Sequence, residues 1–325
     1  MSKLEFKLEL IEQELALVDK RLGEIIKSAG PEIQEVGDYI FNGTGKRIRP
    51  ALFLIAAFRN GKNISHLIDA AVALELMHTA SLLHDDVIDQ ADLRRGKDAA
   101  HVKWSNKIAV LSGDYLLSRA FDLLVSYQNW TLMNIVVNIV RNMSEGEVEQ
   151  AFANTSMPDL EEKYLSWIGK KSASFFAGCC EAGSLLGGDG RSEQILWSKY
   201  GYNLGIVFQL IDDLLDYTGD DSATGKPIYG DLNNGVITLP LIRTIKQQSE
   251  QKVISNFIEN NQACGSQVGV VARTVLDGDG PAYTYEKAEE YADKAAALSR
   301  HLNSQHKYKA IVLEQLAYNL LLRNK

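Results

Sequence analysis

The segment Leu82-Leu83-His84-Asp85-Asp86-Val87-Ile88-Asp89 sets three aspartates after an apolar run, and the pattern returns as Leu210-Ile211-Asp212-Asp213-Leu214-Leu215-Asp216. Side chains three and four residues apart share one face of a helix, so each segment crowds its carboxylates together. A hard, oxygen-preferring cation, Mg²⁺ above all, would relieve the repulsion. One copy would equally suit a solvated helix end, but two copies favour metal sites. The predicted metal ligands are Asp85, Asp86, Asp89, Asp212, Asp213 and Asp216.

The composition is that of a globular protein with a sizeable core, since 46% of the 325 residues are hydrophobic. A net charge of −8 argues against a nucleic-acid partner. The three cysteines, Cys179, Cys180 and Cys264, form neither a disulfide framework nor a zinc spacing. The N-terminus lacks a signal-peptide core, and we expect no membrane span. These features predict a cytoplasmic protein of one large helical domain or two smaller ones.

Apolar residues at spacings of three and four predict helices along most of the chain, with no trustworthy strand, repeat or linker. A polar loop at 93–97 and a loop at 218–235 rich in Gly, Asp and Lys separate some of them. After 251 we expect shorter helices and a turn at 277–281. The other predicted helices cover 4–27, 32–42, 51–58, 65–90, 105–127, 130–153, 160–187, 192–217 and 306–322, and a further helix opens at Thr238-Leu239-Pro240.

Scattered cations accompany the acidic clusters, and together they are typical of the Arg, Lys and Mg²⁺ clamp on phosphoryl groups. Each of them alone would be an ordinary solvated side chain. His78 lies two helical turns before Asp85, and Gln209 lies one turn before Asp213, so both are predicted to face an acidic cluster. The candidate cations are Lys46, Arg49, Arg94, Arg95, Lys170, Lys171 and Lys226.

In this order, several segments resemble the trans-prenyltransferases, the polyprenyl diphosphate synthases, over about residues 30–245. Two aspartate motifs with flanking basic pairs make the resemblance specific. The segments are Gly-Lys-Arg-Ile-Arg-Pro at 45–50, His-Thr-Ala-Ser-Leu-Leu-His-Asp-Asp-Val-Ile-Asp at 78–89, Leu-Arg-Arg-Gly-Lys at 93–97, Gly-Asp-Tyr-Leu-Leu at 113–117, Phe-Gln-Leu-Ile-Asp-Asp-Leu-Leu-Asp at 208–216 and Gly-Lys-Pro at 225–227.

The resemblance implies an all-α fold of the isoprenoid synthase type, a large single-domain helical bundle spanning 1–325. The bundle would surround a central cavity, with the two aspartate helices facing each other across its mouth. The expected activity is a Mg²⁺-dependent prenyltransfer with two or three ions, in which isopentenyl diphosphate is added to an allylic diphosphate, farnesyl diphosphate in our reading. We expect a long-chain product for a quinone side chain. We also expect a homodimer, with a small regulatory subunit as an open possibility.

The resemblance also assigns roles to individual residues. Two positions depart from the family: Ser172 replaces the usual threonine, and Val236 replaces a common lysine, which puts one diphosphate contact in doubt. The expected catalytic residues are Asp85, Asp86, Asp89, Lys171 and Asp212. The expected contacts to the allylic diphosphate are Arg94, Lys171, Ser172, Gln209 and Lys226, and those to isopentenyl diphosphate are Lys46, Arg49, His78 and Arg95.

Product length is expected to depend on the residues one turn below the first motif. Ala80 and Ser81 lie roughly 6–8 Å below Asp85 along the helix. Both are small, whereas relatives that stop at short products tend to carry aromatics here. Leu74 and Met77, or residues of the predicted helix at 130–150 such as Met133 and Val137, then become the floor of the pocket. This predicts products between hexaprenyl and decaprenyl.

Other readings remain open at this point. A class I terpene cyclase would share the fold, but its second metal motif usually mixes Asn, Ser or Thr with Glu. An HD-type phosphohydrolase could use His78, His84 and Asp85, but it would not need the second cluster. A non-catalytic subunit of a heteromeric synthase would be expected to lose the aspartates. A geranylgeranyl or farnesyl diphosphate synthase is the alternative within the family.

Overall fold

The computed structural model describes residues 10–42, 45–60, 62–154, 157–219, 229–248, 254, 268–302 and 307–322. The described chain is almost entirely helical, which confirms the predicted all-α fold. A 3₁₀ turn (Ser65–Leu67) precedes α4, and a π-helical segment (Gly169–Ala173) joins α8 to α9. The helices are α1 (Glu12–Lys27), α2 (Pro31–Phe41), α3 (Ile48–Ala57), α4 (Ile68–Ile88), α5 (Ala100–Lys103), α6 (Asn106–Val125), α7 (Trp130–Ala151), α8 (Leu160–Ile168), α9 (Ser174–Leu186), α10 (Arg191–Thr218), α11 (Gly230–Asn233), α12 (Leu239–Gln248), α13 (Val268–Asp277), α14 (Gly280–His301) and α15 (Lys307–Leu321).

The described residues divide into two compact units, which we call the first-motif unit (those within 7–137 and 178–198) and the second-motif unit (those within 138–177 and 199–325). Helices α7, α9 and α10 contribute residues to both. The single domain over 1–325 stays a prediction.

Helix α4 forms the core of the first-motif unit. Its residues are apolar on nearly all sides, and a helix of that kind is stable only when neighbours surround it. It packs mainly against α6, with further contacts to α1 and α3. Arg21 of α1 forms an ion pair at 2.8 Å with Asp69, which lies in the first turn of α4. Because neighbouring helices bury α4, the first aspartate motif lies at the end of a rigid helix.

In the second-motif unit, a glycine of α10 allows this helix to approach the π-helical segment closely. A Cβ at Gly205 would lie 2.5 Å from the Ala173 Cα, so only glycine permits this distance. Helices α14 and α15 pack against each other, and α12 packs against α14. The Tyr200 hydroxyl of α10 donates to the Leu313 carbonyl at 2.9 Å, which ties α10 to the C-terminal helix α15.

The predicted helices agree with the structure to within a few residues where it describes them, with several corrections. The short helices α5 and α11 were not predicted, and α11 lies within the predicted loop at 218–235. A short antiparallel ladder, β1 (Leu93–Arg94) with β2 (Lys97–Asp98), was not predicted, because two-residue strands are too short to show alternation. The helix predicted over 160–187 is interrupted by the π-helical segment, which apolar spacing does not reveal. Beyond 251, α14 is a long helix of 22 residues.

The segment Ser65–Ile88 is long and apolar enough to cross a membrane by length and composition alone. The structure buries 72% of its apolar 18-residue window inside the protein. That burial is the pattern of a core helix.

Candidate active site

The first aspartate motif occupies the C-terminal end of α4, and its three members differ in exposure. Asp85 is half-buried, Asp86 is only 3% exposed, and Asp89 is exposed where it caps the helix. Arg94 donates from Nε to the Asp86 carboxylate at 2.8 Å, and its Nη2 contacts the same oxygen. Asp86 is therefore a braced, interior member of the cluster, while Asp85 and Asp89 form its outer part.

Arg94 and Arg95 reach this position because they belong to the β1–β2 hairpin. Arg95 (φ 54°) and Gly96 (φ 73°) form its two-residue turn, and positive φ at both positions is the geometry of a type I′ hairpin. The Tyr39 hydroxyl donates to the Asp98 carbonyl at 2.9 Å, which anchors the hairpin to α2. The hairpin thus presents two adjacent arginines next to the first motif.

The basic stretch at 45–49 has a divided role. Arg47 forms ion pairs with Glu75 at 2.7 Å and with Asp19 at 2.8 Å, so it is committed to structure. Arg49 Nη1 lies 3.1 Å from His78 Nε2, and because arginine only donates, that nitrogen accepts. Lys46 is exposed. The structure therefore brings Arg49 and His78 together.

Positive charge concentrates around His78. Burial, reinforced by Arg49, Arg95, Arg94 and Arg47, lowers the pKa of His78 well below its ordinary value. The ring is thus neutral near pH 7. Desolvation also lowers the pKa of Arg95, and Arg47 and Arg94 act in the same direction. Such a concentration of cations suits an anionic ligand.

The segments carrying His84 and Gly113 pack against each other. The His84 Nε2 atom lies 3.1 Å from the Val110 carbonyl of α6 and 3.4 Å from an Asp114 carboxylate oxygen. A side chain at position 113 would collide with the histidine ring. Glycine at 113 therefore lets α6 lie against the helix end that carries the first motif.

The second aspartate motif lies near the end of α10. Asp213 is 5% exposed and accepts from the Tyr164 hydroxyl at 2.5 Å and from Gln209 Nε2 at 2.7 Å. Asp212 is exposed. Asp216 is half-buried and accepts from the backbone N–H groups of residues 230 and 231 at 3.0 and 3.1 Å, at the start of α11.

Burial is the main influence on the pKa values of Asp213 and Tyr164. It raises the pKa of Asp213 to about 7, although the hydrogen bonds from Tyr164 and Gln209 act in the opposite direction. Burial and the neighbouring carboxylate raise the pKa of Tyr164 well above its ordinary value. The phenol therefore keeps its proton and remains a donor to Asp213.

Lys171 and Ser172 lie in the π-helical segment, a form of helix that is frequent at functional sites. Lys171 pairs with Glu147 of α7 at 2.6 Å and contacts the Gln150 side chain at 3.2 Å. A Cβ at Gly146 would lie 2.6 Å from the Lys171 backbone nitrogen, so glycine permits this approach. The Ser172 hydroxyl donates to the Gln209 side-chain oxygen at 2.5 Å.

The remaining predicted site residues can be placed individually. Leu74, Met77 and Ala80 are buried along α4, and Ser81 is half-buried with its hydroxyl on the His78 carbonyl at 2.8 Å. Val236 is half-buried, and its N–H donates to the Asp231 carbonyl at 2.8 Å. Lys226 lies outside the described residues.

Our sequence reading missed Tyr164, Glu147 and Gly146. Tyr164 lies in an ordinary amphipathic pattern and is separated by 49 residues from its partner Asp213, so no local spacing marks it. A signal did exist at Gly146-Glu147, because a glycine inside a helical pattern often marks a close approach.

The donor chemistry of both motifs fits a divalent cation. The ligand candidates are carboxylate oxygens, and the end of α4 adds the negative pole of its helix dipole. Among the residues that the structure describes, no three His, Cys, Asp or Glu side chains form a preformed metal site. Mg²⁺ usually keeps several waters and binds substrate phosphates, so it does not need one.

Comparison with known proteins places the chain in a family. Residues 30–275 match the polyprenyl synthetase family. The chain is 37% identical over 305 residues to the octaprenyl diphosphate synthase of Escherichia coli (strain K12), covering 89% of this chain and 90% of the relative. It is 31% identical over 298 residues to the heptaprenyl diphosphate synthase component 2 of Geobacillus stearothermophilus, covering 91% and 92% of the two chains.

Among solved structures, the chain is similar to the polyprenyl synthase from Caulobacter crescentus CB15 complexed with calcium and isoprenyl diphosphate. The TM-score is 0.91 at 32% sequence identity, and the match covers 99% of this chain and 98% of that one. The predicted family resemblance and the predicted class of enzyme are therefore confirmed. The chain belongs to the polyprenyl synthetase family and is a prenyltransferase with the all-α isoprenoid synthase fold.

Proposed function

We propose that this enzyme is a long-chain all-trans-polyprenyl diphosphate synthase. It adds isopentenyl diphosphate successively to an allylic diphosphate, with farnesyl diphosphate as the first allylic substrate. The observation that carries the proposal is the pair of motifs in which the middle aspartate is buried and braced. The octaprenyl and heptaprenyl relatives support a long-chain product.

The outer aspartates of each motif hold divalent cations in this proposal, Asp85 and Asp89 in the first and Asp212 and Asp216 in the second. Two or three Mg²⁺ ions bound there would neutralise the departing diphosphate. The calcium in the Caulobacter crescentus structure supports a divalent cation in this family.

The cationic side chains divide between the two substrates. The proposed contacts to isopentenyl diphosphate are Lys46, Arg49, His78 and Arg95. The proposed contacts to the allylic diphosphate are Arg94, Lys171, Ser172, Gln209 and Lys226. The Arg49–His78 contact supports the first group, because a neutral His78 avoids repelling the arginines.

The reaction follows from these charges. The cationic side chains stabilise the leaving diphosphate as the allylic C–O bond breaks, and bound Mg²⁺ would add to that stabilisation. The isopentenyl double bond attacks the resulting carbocation, a C–C bond forms, and the diphosphate takes up the proton that is lost. Apolar walls prevent water from intercepting the carbocation.

Incubation of the purified chain with Mg²⁺, farnesyl diphosphate and isopentenyl diphosphate tests the proposal, with product lengths measured by chromatography. We expect products from hexaprenyl to decaprenyl. A ladder that stops at farnesyl or geranylgeranyl would contradict the long-chain assignment. Activity that appears only after a second protein is added would make the chain one component of a heteromeric synthase.

We further propose that the chain forms a homodimer and is cytoplasmic. Apolar side chains at Val102, Leu111 and Val125 are 46%, 51% and 58% exposed, which supports an interface on the first-motif unit. Sedimentation of the active enzyme at micromolar concentration tests the dimer, and a fully active monomer would contradict it.

A further inference from the structure

We propose that Tyr164 is a positioning residue for the second aspartate motif. Its hydroxyl fixes the Asp213 carboxylate, and this fixes the cation-binding face of α10 relative to the π-helical segment that carries Lys171 and Ser172. The inference rests on the proposed function, because it assigns the cation and the diphosphate to these elements.

The first step is a continuous chain of hydrogen bonds. Ser172 donates to Gln209 at 2.5 Å, Gln209 donates to Asp213 at 2.7 Å, and Tyr164 donates to Asp213 at 2.5 Å. In each of these hydrogen bonds an O–H or N–H group donates and an amide or carboxylate oxygen accepts. The chain therefore connects the π-helical segment to α8 by way of α10.

The second step is the occupancy of the Asp213 carboxylate. Gln209 binds one of its oxygens and Tyr164 binds the other, and the residue is only 5% exposed. A carboxylate held in this way is fixed in position by two side chains. Asp212 and Asp216 lie beside it on α10, so its fixed position sets theirs.

The third step is the chemical nature of the support. Tyr164 is 1% exposed, and its ring packs edge-on against Trp167 with centroids 5.8 Å apart. The phenol and the amide of Gln209 are neutral donors, so they orient the carboxylate without cancelling its charge. Removing partners of this kind behind metal ligands typically weakens metal affinity 10–100-fold.

Tyr164→Phe removes only the hydroxyl and tests the role directly. The matched control is Tyr200→Phe, because Tyr200 is also buried in the second-motif unit but donates to a backbone carbonyl of α15. The probe is inorganic diphosphate with varied Mg²⁺, measured by titration calorimetry. We expect Tyr164→Phe to raise the Mg²⁺ concentration for half-maximal diphosphate binding by roughly 10–100-fold. Tyr200→Phe should leave it unchanged.

Steady-state kinetics supply a second readout. The Mg²⁺ activation curve of Tyr164→Phe should shift in parallel with binding, and saturating Mg²⁺ should recover most of kcat. A purely structural role would instead lower the melting temperature of both Phe variants and leave the Mg²⁺ dependence of the folded enzyme unchanged. That outcome overturns the proposal.

Ser172→Ala provides an independent variant at the other end of the chain of hydrogen bonds, in case Tyr164→Phe does not fold. Because Ser172 is also a proposed contact to the diphosphate, the diphosphate affinity at saturating Mg²⁺ is measured as well. Beyond that change, Ser172→Ala should shift the Mg²⁺ dependence in the same direction by a smaller factor, and an unchanged dependence overturns the proposal. Calorimetry does not require turnover. A protein that binds magnesium diphosphate but forms no polyprenyl product would refute the proposed function and leave the role of Tyr164 testable.

Discussion

The two aspartate motifs share one spacing but are supported in different ways. In each, the middle aspartate is buried. Asp86 is braced by the guanidinium of Arg94, whereas Asp213 is braced by the neutral donors Tyr164 and Gln209. The same sequence pattern therefore occurs in two electrostatic environments.

The difference concerns how much negative charge each cluster keeps. A guanidinium compensates one of the three charges in the first motif, while the two hydrogen-bond donors to Asp213 in the second motif are neutral. Burial beside two further aspartates raises the pKa of Asp213 to about 7. Cation binding favours the ionised carboxylate, so the second motif should release a proton when it binds a divalent ion.

The residues one turn before each motif also differ. Ala80 and Ser81 precede Asp85 by five and four positions, while Val207 and Phe208 occupy the same offsets before Asp212. Space for a growing apolar chain is therefore expected beside α4 and not beside α10. Each prediction below tests one part of this comparison.

The largest expected effect is the loss of an outer aspartate from either motif. Asp85→Ala and Asp212→Ala should each lower turnover by at least roughly 10²–10³-fold, because each removes charge stabilisation of the leaving group. Circular dichroism should show an intact helical fold. Asp69→Asn, at the other end of α4, is the control. Near-normal activity of either alanine variant in Mg²⁺ would refute the two-cluster mechanism.

Product length should respond to added bulk before the first motif. Ala80→Phe combined with Ser81→Phe should shorten the product to about farnesyl or geranylgeranyl size, since two rings enter the expected path of the chain. Chromatography of the extracted products measures this. Ser81→Ala keeps the position small and should leave the product ladder unchanged. An active double variant with an unaltered ladder would place the path elsewhere.

Substitution of Arg94 and substitution of Arg95 should have different effects on the free energy of unfolding. Arg94→Gln leaves the buried Asp86 carboxylate without its guanidinium partner and should reduce the free energy of unfolding by about 3 kcal/mol. Arg95→Gln should not reduce it, because desolvation and the neighbouring Arg47 and Arg94 already disfavour the charge at that position. Urea unfolding of both variants provides the measurement. Equal losses would mean that Arg94 does not brace the motif.

The pH dependence of stability should reveal the neutral His78. Its pKa is lowered in the folded state, so below about pH 6.5 the unfolded chain binds the extra proton and stability falls as the pH falls. Between pH 7.5 and 5.5 the wild type should lose about 1.4 kcal/mol more than His78→Gln. Urea unfolding at both pH values tests this difference. Parallel losses in the two proteins would show that His78 does not contribute.

The smallest expected effect concerns the partner of Lys171. Glu147→Gln keeps a hydrogen-bonding group but removes the charge that neutralises the lysine, so the KM for the allylic diphosphate should fall roughly fivefold, about 1 kcal/mol. Glu149→Gln removes the same charge from the more exposed pair with Lys170 and serves as the control. An increase in KM would instead mean that Glu147 aims the lysine at its ligand.

The sequence alone determined the all-α fold, the position of most helices and the family. These features depend on patterns within one or two helical turns, such as apolar spacing and the two aspartate motifs. Such patterns can be recognised without knowing how the helices pack. The position of Gln209 beside Asp213 is of the same kind, since both lie on one helical face.

Only the tertiary structure decided which aspartate of each motif is buried and what braces it. Tyr164 and Asp213 are 49 residues apart, and Lys171 meets Glu147 from another helix. Such pairs depend on how helices pack. The π-helical segment and the close approach at Gly146 likewise follow from packing between elements, which hydrophobic periodicity along a single helix does not encode.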